Sequence, residues 1–155
     1  MRRASERTRR RGGTVVEAAI VLTVFLTLVL GMIDLAMYLT RANIIAEAAR
    51  QGTRQAIVHG SISPRPTQMA AWGPTTIGPV NANDSSAIVQ AIKPYLYGLD
   101  PTTVFITASW PDGGNDPNSD NRVRVKVETT YRPMITFLFS GSLPISATST
   151  MVIVH

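Results

Sequence analysis

The sequence predicts an α+β protein: a long N-terminal transmembrane helix that extends into a small antiparallel β-sheet domain with one short helix beside it. Three patterns predict this. An arginine-rich start is followed by sixteen uncharged residues, Ala18 to Ile33. Beyond them, small and apolar residues recur at spacings of three and four as far as Ala56. In the second half the spacing changes to two, which is the period of a strand.

The charge distribution orients the first element. Arg2, Arg3, Arg7, Arg9, Arg10 and Arg11 crowd the first eleven residues, and the rest of the chain is balanced, with nine basic and nine acidic side chains. A basic cluster abutting an apolar run fits a positive-inside membrane anchor rather than a nucleic-acid surface. Residues 1–12 therefore read as a cytoplasmic leader. The helix of residues 13–59 crosses the cytoplasmic (inner) membrane once, and residues 60–155 form an extracytoplasmic α+β head. A cleaved secretory signal has a shorter apolar core, and here "DLAMYLTRANIIAEAAR" continues as helix where a cleavage region would lie. The absence of cysteine excludes disulfides, thiol catalysis and cysteine-ligated metals.

Past the span, Leu35, Tyr38, Ala42, Ile45, Ala49, Gly52 and Ala56 fall on one stripe, with Arg41, Glu47, Arg50 and Arg54 off it. The stripe reads as packing under a globular head, with an oligomer seam as the alternative. Helix from Thr14 to about Val58 would be about 65 Å long, with Gly31 and Gly52 as places to bend. Gly60 to Asp84, rich in Pro, Gly, Ser, Thr and Asn, reads as a long irregular loop carrying Trp72. Asp84, Ser85 or Ser86 caps a short helix whose face is Ile88, Ile92, Tyr95 and Leu96, with Pro94 ending or kinking it.

Three strands follow. Val104, Ile106, Ala108 and Trp110 alternate in the first. Val123, Val125, Val127 and Tyr131 oppose Arg122, Arg124, Lys126 and Glu128 in the second. "PISATSTMVIVH" is the third. "PMITFLFSGSLP" is too apolar for a free loop and should pack on the sheet or lie near the membrane surface.

Chemistry-bearing patterns are sparse. His59 and His155 have no third partner at ligand spacing, and no catalytic triad, paired carboxylates or phosphate-cradling loop is legible. The protein is read as non-enzymatic, with no cofactor. In "PDGGNDPNSDNR", Asp112, Asp116, Asn118 and Asp120 could offer oxygens to calcium. The loop departs from an EF-hand: its sixth position counted from Asp116 is Asn121 and no Glu closes it. The same residue types build ordinary turns, and that reading is preferred.

Glu17 lies at the mouth of the span. Thr14 and Glu17 have capping-box spacing, with Thr14 as N-cap and Glu17 at N3. A second reading comes from resemblance. A basic leader, a glycine, and a glutamate five residues into an apolar helix resemble a type IV prepilin. Arg11 to Gly60 more closely resembles the TadE-like family, through Gly12, Val16-Glu17, the apolar run to Gly31, Asp34, Ala48-Ala49-Arg50, Gly52 and Arg54. The resemblance implies a minor pseudopilin of a Tad (tight adherence), Flp-type pilus or secretion system, cut by a prepilin peptidase between Gly12 and Gly13. It also implies that Glu17 pairs with the N-terminal amine of a neighbouring pilin-like or Tad assembly subunit, in a lateral homo- or hetero-oligomer. Ala18 departs from the Tyr or Phe usual after that glutamate, and Gly13–Thr14 is an adjacent alternative bond. A single-pass anchored binding module, using Trp72, Trp110 and the acidic loop, is the competing reading.

Overall fold

The computed structural model describes residues 5–62, 71–135 and 141–154, and of residues 5–12 the backbone alone. One helix, α1 (Ser5–Ile57), runs 53 residues, about 80 Å. Then come β1 (Ile77–Asn81), α2 (Ala87–Ile92), β2 (Phe105–Ser109), β3 (Arg122–Tyr131) and β4 (Leu143–Val152), with single 3-10 turns at Lys93–Tyr95, Pro101–Thr103 and Pro117–Ser119. The strands form one antiparallel meander in the order β1-β2-β3-β4. α1 is the one helix among the described residues that is long and apolar enough to cross a membrane.

The first half of α1 is exposed, including Ile20, Leu22, Phe25 and Leu28. The second half is the central element of the core. Ile45, Ala48, Ala49 and Ala56 are buried against Ile88, Val89 and Ile92 of α2 and the inward faces of β2, β3 and β4. The alternation expected in the strands is realised, since Val104, Ile106, Ala108, Val123, Val125 and Val127 are fully buried. Register explains the layer: Val127 lies between Ile106 and Ala147, and Val125 between Ala108 and Ser149.

Small residues on α1 let the sheet approach. A Cβ on Gly52 would lie 2.5 Å from Cδ1 of Ile92 and 3.2 Å from Cγ1 of Val125. Beside it the Thr53 hydroxyl donates to Ala49 O at 2.8 Å and to Ser149 O of β4 at 3.3 Å. The helix end is tied down by Val154 N donating to Ile57 O at 3.0 Å. His59 stacks on Trp72 with ring centroids 4.1 Å apart.

The helix is continuous through Gly31 and Gly52, as expected, and three other expectations change. The capping box does not form, because α1 begins at Ser5 and Thr14 and Glu17 lie inside it. The irregular loop contains a strand: β1 pairs with β2 through Ile77–Ala108 and Val80–Ile106, with a register irregularity between them. Its alternation is interrupted by Gly78 and Pro79, so period alone misses it. Leu35 is 58 % exposed, and Asp34, 5 % exposed, takes the membrane-proximal end of the buried stripe. The segment "TFLFS", for which packing is expected, and His155 lie outside the described residues.

Candidate functional site

A buried carboxylate joins the span to the head. Asp34 sits in α1, one turn before Tyr38. Its Oδ1 accepts from the Tyr131 hydroxyl at 2.8 Å and from Met134 N at 2.9 Å, and its Oδ2 accepts from Ile135 N at 3.0 Å. The Tyr131 hydroxyl also reaches the Asp34 carbonyl at 3.3 Å. Three donors converge on one carboxylate, which offsets its removal from water. Tyr131 is the last residue of β3, and Met134 and Ile135 follow it, so the contact pins the end of the longest pairing to the helix.

An aromatic and cationic layer lies above this carboxylate. Tyr38 meets Tyr131 edge-on at 5.9 Å between centroids. The Arg41 guanidinium lies 5.0 Å from the Tyr131 ring centroid. Burial first, and then the hydrogen bond to Asp34, push the Tyr131 phenol above its ordinary pKa. Asp34, Tyr38 and Arg41 share one helix face at spacings of four and three. In the sequence, Asp34 stands out as a charge in an apolar stretch and as part of a resemblance, with no role attached. Its spacing to Tyr38 and Arg41 is the available signal; Tyr131 is 97 residues away.

The predicted site residues fall elsewhere. Glu17 is exposed on α1 among Val15, Val16 and Ile20, and Gly13 has nothing within 4 Å of where a Cβ would be. Gly12 belongs to the stretch described by its backbone alone. In the acidic loop, Asp112 makes a two-pronged bond to Arg122, with Oδ1 to Nη2 at 2.7 Å and Oδ2 to Nε at 3.0 Å, and also accepts from Arg122 N. Those bonds hold its carboxyl down at about 2. Asp116 accepts from Asn118 N and caps the Pro117–Ser119 turn, and Asp120 adopts the left-handed conformation that ends it. These residues are engaged in turn geometry. Among the described residues, no three His, Cys, Asp or Glu side chains group so as to hold a metal.

Trp110 is a core residue, 5 % exposed, and Trp72 is half-buried on His59.

A family model described as TadE-like protein matches residues 12–54. The matched stretch holds Gly13, Glu17, Asp34 and Gly52, and stops before the sheet begins. No curated protein and no solved structure matches the chain.

Proposed function

We propose that this chain is a minor pseudopilin-like membrane protein that takes part in assembling a Tad/Flp-type pilus or secretion apparatus, with no catalysis of its own. The match of residues 12–54 to the TadE-like family carries the reading. It ties the chain to Tad pilus systems and coincides with the membrane-anchoring helix. The leader stays in the cytoplasm, α1 spans the inner membrane, and the head stands outside it.

The chemistry of the start of α1 supports processing by a prepilin peptidase. Each glycine costs a helix about 1 kcal/mol relative to alanine. The Gly12–Gly13 pair is thus an easily opened stretch of a helix otherwise made of better formers. Cleavage between them frees the amine of Gly13, and Glu17 lies one turn further along the same face. Lipid is a poor solvent for both charges. A neighbouring subunit's ammonium beside the Glu17 carboxylate offsets the desolvation of each, and does so at one helix register. Lateral partners are other pilin-like or Tad assembly subunits. The Asp34 contact makes head and helix one lever, so placing the helix in a bundle also places the head.

The intact mass of chain extracted from membranes that contain a prepilin peptidase tests this. Loss of residues 1–12 is expected, and retention of Met1–Gly12 overturns the processing step. Co-purification of Glu17→Ala with pilin-like partners at the wild-type level overturns the pairing role.

A further inference from the structure

The base of the head carries two adjoining recesses that no role above uses. One is an apolar groove of about 570 Å³ between α1 and the end of the sheet, lined by Thr27, Leu28, Gly31, Leu35, Tyr38 and Leu143 among others. The other is a polar recess lined by Arg41, Arg132, Asp100, Thr130 and Ser142 among others. Tyr131 lines the groove, and Arg41, whose guanidinium lies 5.0 Å from the Tyr131 ring centroid, lines the polar recess.

Depth along α1 decides what surrounds them. Ala18 to Leu39 is about 33 Å of helix, close to the thickness of a hydrocarbon core. Leu35, Met37 and Leu39 are exposed, so the apolar surface continues to Leu39. Asp34 lies five residues, about 7.5 Å, below that limit. The head reaches down to it through Met134 and Ile135. Met134, 71 % exposed, and Leu143, 41 % exposed, present apolar side chains at this base. With α1 across the bilayer, the base of the head sits in its outer edge, the groove at acyl-chain depth and Arg41 at headgroup depth.

Charge selects the headgroup. Among the described residues neither Arg41 nor Arg132 forms an ion pair. The one acid lining the recess, Asp100, accepts from the amide and hydroxyl of Thr102 at its Oδ1 and pairs with neither arginine. Two arginines against one carboxylate leave the recess net positive, and a net positive recess above an apolar groove matches a phosphate above an acyl chain. We propose that this base is a seat for one anionic phospholipid, its headgroup phosphate at Arg41 and Arg132 and an acyl chain in the groove beside Tyr38 and Leu143. The proposal rests on α1 spanning the membrane with the head outside.

The test uses the full chain in nanodiscs with photoactivatable phosphatidylglycerol or phosphatidylcholine carrying the reactive group on the acyl chain. Phosphatidylglycerol should label peptides containing Leu28, Leu35 and Leu143 in preference to phosphatidylcholine. Arg41→Gln and Arg132→Gln should each cut that preference about fivefold. Arg41→Lys/Arg132→Lys should keep most of it, and 0.5 M salt should weaken it in the wild-type chain whether or not the glutamine variants fold. Equal labelling by the two lipids overturns the proposal, as does even labelling around α1. Disulfide-linked dimers of Leu35→Cys that abolish labelling would assign the groove to a second copy and also overturn it. Failure of the spanning premise is read separately. Asn118→Cys, the sole cysteine in the chain, should react with an impermeant maleimide on spheroplasts.

Discussion

Gly52 is where the helix and the sheet come closest, and adding one carbon there tests the packing. Alanine in mid-helix is favoured over glycine by about 0.8–1.0 kcal/mol. Opposing this, the new Cβ would stand 2.5 Å from Cδ1 and 2.7 Å from Cγ1 of Ile92, and 3.2 Å from Cγ1 of Val125. Ile92 and Val125 are both fully buried, so neither has open space to move into. Overpacking of this kind costs about 1–3 kcal/mol. The difference leaves Gly52→Ala between neutral and about 2 kcal/mol destabilised. Gly52→Val gains less propensity and adds two more methyl groups, so its loss should exceed about 2 kcal/mol. For a chain of this size, that threshold corresponds to a fall in Tm of about 4–8 °C. Gly31→Ala is the control, because a Cβ there meets nothing within 4 Å. Thermal unfolding of the full chain in zwitterionic micelles, read by the fluorescence of Trp72 and Trp110, gives the order. A Gly52→Val chain that melts at or above the wild type would refute the close-approach argument.

Two further outcomes follow from the polar contacts. Tyr131→Phe removes a donor from Asp34 and should lower stability by about 1 kcal/mol. Asp34→Asn should cost more, since its NH2 must replace either the oxygen that accepts from Ile135 N or the one that accepts from Met134 N and the Tyr131 hydroxyl, setting donor against donor; proteolysis between Tyr131 and Leu143 should rise in both variants, and an unchanged cleavage rate would remove the anchoring role. The Asp112–Arg122 pair sets an acid dependence. Asp112 is depressed from an ordinary 3.8 to about 2. Its contribution is therefore fully present above the unfolded carboxyl's pKa and is lost as pH falls through about 2. Arg122→Gln should flatten the decline in Tm between about pH 5 and 2, and an identical decline would show that the pair does not couple to folding.

Much of the architecture is legible in one dimension. Periods of 3.6 and 2 are set by backbone geometry, so they survive any tertiary arrangement. They place the long helix, the short one, and the strands that carry Ile106, Val125 and Val127 into the core. β1 escapes because Gly78 and Pro79 break its alternation, and its pairing with β2 supplies what its own sequence lacks. The end of the helix at Ile57 is close to expectation, but its start is not. Capping residues permit a helix to begin without requiring it, and the arginine-rich turn ahead of Thr14 is itself helix-compatible.

The base of the head shows the division most clearly. The order of residues is enough to say that an apolar helix carries an acid at residue 34, and that small residues line one face beyond it. That this acid is buried, and Leu35 beside it is not, follows from folding. The partners of Asp34 arrive from the far end of β3, and a local pattern cannot encode a contact across 97 residues. Glu17 stands on the opposite side of that line. It is exposed on α1, away from the packed half of the helix. Its role is therefore read from its place in the sequence and tested in an assembly.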